Sequence, residues 1–333
     1  MEGCMMNDNE ASFDDNIKLA ALIKKARNRT IWRNIIISLT VMLFILVGGW
    51  FVNLQLQYRS ADNAMRDIEM FEEISGPNHY LSGYRTHYGF LSGTLEYQTY
   101  KIVEGVPVVW EPENYEFSSW GTFTRSLGNY SSLSVQDTAM QEQGFQYTRP
   151  YNRYSSEREM MFYLPSVEYA NYLNETPELN AMNGQKLVEM ALSFDTNYSV
   201  KQIQSMLPTD VHPVWYWVDT YKPMIQQLPD GTVLEPNPDL AGSVYGFGIR
   251  PDNPDVTEQK FLDALENGIQ VKGKYKQEYE RIYDYLRDGK EKPTIDGVRV
   301  IGVVVTGTAN RLKALQGQTY VKAAVLGAII DKY

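Results

Sequence analysis

Three kinds of hydrophobic pattern divide the chain. The strongest is the run over residues 35–52, IIISLTVMLFILVGGWFV, which contains no charged residue. Its two hydroxyls, Ser38 and Thr40, can bond back to their own helix backbone. Bilayer hydrocarbon asks for roughly 20 apolar residues in a helix, so the pattern predicts one membrane-spanning helix. Trp32 and Trp50 bracket it. At about 1.5 Å per residue they stand roughly 27 Å apart, close to the spacing of the two interfaces that Trp prefers. A buried core helix would be shorter and flanked by caps.

The second pattern has helical period and lies on both sides of the span. Before it, Leu19, Leu22, Ile23 and Ala26 recur at i, i+3, i+4 and i+7, which places them on one helix face. Ser12 with Asp15 makes a capping box that would start this helix, after a polar and unstructured stretch over 1–11. Nothing breaks it before Trp32, so it runs into the membrane. After the span, Leu54, Tyr58, Ala61, Met65 and Ile68 form a short heptad seam. That stalk either packs on its own outer domain or pairs with a second copy. Gly76-Pro77 ends it.

From His79 onward the pattern shifts to strands. Residues 93–100 (GTLEYQTY) and 107–110 (PVVW) read as a hairpin around Glu104-Gly105. Residues 111–150, rich in Ser, Tyr, Gly and Gln, show little periodicity and read as a surface excursion around short strands. Short apolar strands are predicted at 160–164, 187–194, 214–220, 242–249, 298–306 and 320–330, the last of which its Ala content also leaves open to a helix. Helices are predicted at 200–207 behind a Ser199 cap, at 257–270, at 275–287 and at 309–315. Strand, helix, strand occurs twice. The expected fold is α+β: a short cytoplasmic helix, one transmembrane helix, and an extracytoplasmic domain of mixed sheet with packed helices. The expected segments are 1–34 cytoplasmic, 35–52 transmembrane, 53–75 stalk, 76–165 strand-rich and 166–333 α+β.

Charge orients the span. Lys24, Lys25, Arg27, Arg29 and Arg33 crowd its N-terminal side, whereas acidic residues dominate the other flank. The positive-inside rule puts the N-terminus in the cytoplasm and the bulk of the chain outside, at the cell membrane. Lys24, Lys25, Arg27, Arg29, Trp32, Arg33 and Trp50 are the expected membrane-interface residues. A cleaved signal peptide would have a shorter apolar run and a small-x-small site after it, and neither is present. The formal net charge of −10 over 333 residues, with no basic tract beyond the membrane flank, argues against direct nucleic-acid binding. The lipid bilayer is the partner that the basic cluster fits. The single cysteine, Cys4, precedes the span, so the outer domain has no disulfide and fits a bacterial envelope. The tripeptides beginning at Asn129, Asn174 and Asn197 match the glycosylation pattern, which often arises by chance.

Catalytic chemistry is sparse. His79, His87 and His212 have no ligand-spaced partners, and no nucleophile elbow, zincin or phosphate-loop motif occurs. Gly246-Phe247-Gly248 lacks a third glycine and reads as a strand closely approached by another backbone. Glu96, Glu111 and Glu113 could be imagined as a glycosidase pair, but isolated carboxylates are usually solvated. Trp110, Trp120, Trp215, Tyr216 and Trp217 read as core. No catalytic, metal or cofactor-binding residue is assigned, and no cofactor or enzymatic activity is expected.

Two stretches carry a resemblance. The first is LIKKARNRTIWRNIIISLTVMLFILVGGW over 22–50, continuing to Gly89-Phe90-Leu91 and YQTYKIVEGVPVVW over 97–110. The second is LVEMALSFDTNYSVKQIQSMLPTDVHPVWYWVDTY over 187–221 with GVVVTGTANRLKALQGQTYVKAAVLGAIIDKY over 302–333. They resemble the N-terminal and C-terminal domains of the bacterial sigma factor regulator family, membrane-anchored anti-sigma factors of extracytoplasmic-function sigma factors. The resemblance implies that the cytoplasmic segment sequesters a sigma factor while the outer domain senses envelope stress. Leu19, Leu22, Ile23 and Ala26 are the expected sigma-binding residues. Many anti-sigma factors carry a larger cytoplasmic domain with H-x-x-x-C-x-x-C zinc ligands. Here about thirty residues stand in its place, with Cys4 alone, so a second membrane protein or a homodimer through the stalk is a further expected partner. The alternative is an envelope binding or scaffold protein that holds a cell-wall polymer or a protein partner.

Overall fold

The computed structural model describes residues 8–126, 133–135, 138–222, 230, 236–249 and 257–331, with the side chains of the first helix described from Ile17. Cys4, the Ser12 side chain and the Asn129 tripeptide lie outside the described residues. The first helix, α1, is a single unbroken element, Asp8–Glu72. It starts one turn ahead of the expected Ser12 cap and takes in part of the stretch read as unstructured. At about 1.5 Å per residue it is roughly 97 Å long. Every residue from 17 to 52 is exposed, and the apolar stretch is buried nowhere in the chain. A core helix would be covered, so this is a helix long and apolar enough to span a membrane. Thr40 Oγ1 donates to the carbonyl of Ile36 at 2.8 Å, satisfying its hydroxyl within the helix.

Burial begins abruptly at Asn53. The remainder of α1 lies on a four-stranded antiparallel meander, β1 (Tyr80–Tyr88), β2 (Ser92–Val103), β3 (Val106–Ser118) and β4 (Phe123–Ser126). Ala61 and Ile68 from the seam enter a core with Leu95, Tyr97, Tyr115 and Phe117. The seam's inner positions are therefore occupied by the chain's own sheet, while Tyr58 is exposed. Glu104 (φ 51°) and Gly105 (φ 80°) form the expected hairpin turn, both in the left-handed region that such two-residue turns require.

Within 111–150, β3 continues the 107–110 strand to Ser118 with Glu113, Tyr115 and Phe117 alternately buried, a period that the sequence reading of this stretch does not pick out. The inward positions of this strand mix a carboxylate with aromatics, which hides the period of two.

The second sheet has five strands: β5 (Leu187–Tyr198), β6 (His212–Val218), β7 (Gly246–Gly248), β8 (Val300–Thr308) and β9 (Val321–Ile330). Their order is β7-β6-β8-β5-β9, and each pairing is antiparallel. The α+β class holds, with antiparallel ladders where a mixed sheet was expected. β7 is shorter than the predicted 242–249 strand because Ala241–Ser243 forms a 3₁₀ turn. A Cβ on Gly246 would lie 1.9 Å from the Tyr216 carbonyl oxygen, so the expected close backbone approach is present.

Helices α2 (Val200–Met206), α3 (Glu258–Gln270) and α4 (Lys276–Arg287) supply Ile203, Phe261, Leu265 and Ile282 to one face of this sheet. Ser199 caps α2 through a reciprocal capping box with Gln202. The opposite face is covered by Met160, Phe162 and Leu164. Covering on both faces explains why β5 and β8 read as continuous apolar runs. Trp110, Trp215, Tyr216 and Trp217 are buried as expected, but Trp120 is 76% exposed on the loop between β3 and β4.

Candidate functional site

Two places on this scaffold can carry regulation: the bare N-terminal part of α1 and the joint where α1 enters the folded domain. On the bare part, Leu19, Leu22 and Ile23 are 55%, 63% and 60% exposed, and Ala26 is exposed beside them. The helix is continuous through these positions, so their spacing places all four on one face. Lys24, Lys25, Arg27, Arg29 and Arg33 follow on the same exposed stretch. Trp32 and Trp50, at 65% and 63% exposure, flank the apolar run. An apolar stripe at this spacing can be laid into the groove of a partner.

Apart from Gly246 and His79, the joint is built from residues that the sequence does not single out. Asp67 Oδ2 accepts from the Lys274 backbone N–H at 3.0 Å, between α3 and α4. A Cβ on Gly273 would sit 2.2 Å from that carboxylate, so glycine makes the approach feasible. The Phe71 ring stacks on Tyr275 at 3.9 Å and 7° and meets Tyr279 edge-on. Ile74 is fully buried in the main core, and its carbonyl accepts from the Gly246 N–H at 2.9 Å.

His79 Nδ1 lies 2.6 Å from Glu72 Oε1, closing the turn after α1. Burial alone would lower the His79 pKa, but the Glu72 carboxylate overrides it and holds the imidazole above its ordinary range. A cleft of about 290 Å³ opens beside this pair, lined by Trp215, Phe247, Lys260 and Asp263 among others.

Beneath the joint sits a buried ion pair. Lys101 Nζ on β2 donates to Glu189 Oε2 on β5 at 2.9 Å, with the two side chains 2% and 0% exposed. Asn78 Nδ2 donates to the other Glu189 oxygen at 2.7 Å, and the Ala328 N–H donates to Oε2 at 3.2 Å. A Cβ on Gly327 would come within 2.3 Å of Glu189, so β9 leaves room for the carboxylate. The Lys101 ammonium also lies over the Trp110 ring at 4.2 Å. This network ties the turn after α1 to both sheets.

A second buried pair, Arg149 with Glu175 at 3.1 Å, fastens the 149–151 strand to β9 through the Leu326 carbonyl. Burial pushes the Glu175 carboxyl up and pulls the Arg149 guanidinium down, each opposed by the other's charge. One sequence signal did point to the larger network: Glu189 is a lone charge inside the apolar run LVEMALSF. Its partner 88 residues away carries no matching local sign.

The carboxylates considered for sugar chemistry are otherwise engaged. Glu113 is buried, accepts from the Tyr115 hydroxyl at 2.5 Å and pairs with Arg125, which corrects its reading as solvated. His212 pairs with Glu104 at 2.8 Å. Among the described residues, no group of three or more His, Cys, Asp or Glu is arranged to hold a metal ion.

The arrangement is that of one helix, long and apolar enough to cross a membrane, fastened to an α+β domain. Two family models match it: sigma factor regulator N-terminal over residues 20–108 and sigma factor regulator C-terminal over residues 179–328. The chain belongs to the sigma factor regulator family, a regulatory family that supports an anti-sigma factor role. The N-terminal match includes Leu22, Ile23 and Ala26 and extends from α1 into β3. Comparison with curated proteins returned no match, and comparison with solved structures returned none.

Proposed function

We propose that this chain is an anti-sigma factor that sequesters an extracytoplasmic-function sigma factor at the membrane and adjusts its hold according to the state of the envelope. The observation that carries the reading is the exposed stripe of Leu19, Leu22, Ile23 and Ala26 on a helix that continues unbroken into the domain beyond the span. In this reading residues 1–34 lie in the cytoplasm, 35–52 cross the membrane and 53–75 form the stalk. Residues 76–165 and 166–333 then face the envelope. The basic cluster from Lys24 to Arg33 supports that orientation and gives those residues a role at anionic headgroups. A stub that only fixed topology would have no need of an apolar face.

Burying one Leu or Ile side chain contributes roughly 1.5–3 kcal/mol. Losing two therefore weakens the hold by about a hundredfold or more, at roughly 1.4 kcal/mol per tenfold. The test is the double change Leu22→Asp and Ile23→Asp in cells. Sigma-dependent transcription rises, while membrane level and topology stay as they were. Low transcription with abundant protein would mean that the stripe is not the grip, and the envelope-scaffold reading would replace this one.

A further inference from the structure

The most exposed large hydrophobic side chains among the described residues are not in the apolar span. They are Phe90 at 82% and Trp120 at 76%, against 74% for Phe44 in the middle of the span. Both stand at loop tips of the first sheet: Phe90 between β1 and β2, Trp120 between β3 and β4. An antiparallel meander puts these two loops at one end of the sheet and the Glu104-Gly105 turn at the other. The two ends differ in chemistry. Residues 88–92 (YGFLS) and 118–122 (SSWGT) contain no charge. At the opposite end Glu104 pairs with His212.

The loop end is fixed to α1 directly after the span. Asn53 Oδ1 accepts from the Leu91 N–H at 3.2 Å and from Ser119 Oγ at 2.9 Å. Gln57 Nε2 donates to the Gly89 carbonyl at 2.8 Å. The Ser119 N–H donates to the Leu91 carbonyl at 2.9 Å, joining the loops to each other. The Tyr88 ring meets Tyr58 edge-on at 4.7 Å.

Leu91 is held at φ 61°, in the left-handed region that is costly for a bulky residue with a Cβ. Its neighbours therefore dictate the loop shape, and that shape leaves Phe90 outside. Asn53 is three residues past Trp50, so the clip lies roughly 4.5 Å along the axis from the ring that marks the interface.

We propose that residues 88–92 and 118–122 are a second membrane-contact site, in which Phe90 and Trp120 enter the headgroup region of the leaflet at the C-terminal end of the span. The Trp120 indole favours that region because one layer accommodates both its apolar ring and its N–H, and the wholly apolar Phe90 ring gains by burial at the headgroup–acyl boundary. Two further contacts beside the helix fix its tilt and its rotation about its own axis relative to the sheet. The inference rests on the reading of residues 35–52 as a membrane span.

The test uses the full chain with Cys4→Ser, reconstituted in phosphatidylethanolamine–phosphatidylglycerol vesicles. Phe90→Cys, Trp120→Cys, Phe44→Cys and Ile295→Cys each carry an environment-sensitive apolar fluorophore. A lipid with its spin label near the headgroup quenches positions 90 and 120 at least twofold more than position 295, and aqueous iodide does the reverse. Quenching at 90 and 120 by iodide alone, with position 44 quenched by lipid spin labels placed deep in the acyl chains, overturns this inference and leaves the span intact. Failure of those deep labels to quench position 44 overturns the span and this inference together. Self-quenching that rises with protein density, without lipid quenching at 90 and 120, overturns it in favour of a contact between copies.

Discussion

α1 has two halves that obey opposite rules. From 17 to 52 every side chain is exposed, while from Asn53 to Glu72 the helix, with Ile74 in the turn just after it, is held by hydrogen bonds, stacked rings and buried aliphatic groups. The change takes place within one residue and without a break in the backbone. The exposed apolar stretch over 35–52 is incomplete in water and complete in lipid. The held half packs on the chain's own sheets and helices. The division separates what the protein brings to the membrane and to a partner from what it has already spent on its own fold.

The contrast can be broken most severely from the held side. Lys101→Met leaves Glu189 buried without its cation, and loss of one partner of such a pair costs about 3–5 kcal/mol. Chemical denaturation of the full chain in detergent micelles measures this as a lowered midpoint. A smaller effect is expected at the boundary. Asn53→Ala strips the Leu91 N–H and the Ser119 hydroxyl of their acceptor and destabilises by roughly 1–3 kcal/mol. Protection of the Leu91 amide against hydrogen exchange falls with it.

His79 sharpens the contrast through pH. Its folded-state pKa lies above the ordinary 6.5, so its contribution is fully present below that value and is lost as pH rises through the folded pKa. His79→Gln removes this dependence. The melting temperature of the wild type minus that of the variant therefore falls as pH rises from about 6.5, and a constant difference would mean that the Glu72 contact stores no proton-linked stability. The smallest stability change belongs to the bare half. Leu22→Ser with Ile23→Ser changes the unfolding free energy by less than about 0.5 kcal/mol, read from the denaturation curve, because both side chains are exposed.

Much of this architecture could be read from the one-dimensional pattern, where the physics is local. The apolar run, the Ser199–Gln202 capping box, the helices after Thr257 and the Glu104-Gly105 turn follow from periodicity, side-chain caps and backbone sterics. What escaped depends on partners distant in sequence. Lys101 resembles any polar residue of a strand until Glu189 arrives from another sheet. Glu113 reads as solvated because its cation, Arg125, reaches it only once β3 and β4 are paired. Trp120 reads as core because aromatic residues usually are, and only the topology places it on a loop tip.

The stripe was legible as a helical face, and the structure leaves that face uncovered. The joint was not legible, since Asp67, Phe71 and Ile74 acquire meaning from Gly273, Tyr275 and Gly246.

The unbroken backbone of α1 makes it a lever with its fulcrum at Asn53. From there to Asp8 the arm is roughly 68 Å at 1.5 Å per residue, so a swing of about 5° at the fulcrum carries the far tip some 6 Å, roughly one helical turn. Each residue also advances the helix bearing by about 100°. The compass direction of Leu22 is therefore set by the way Asp67 and Phe71 seat in the folded domain. Inserting a single alanine between the fulcrum and the stripe would turn that bearing by more than a quarter circle and leave every contact at either end in place.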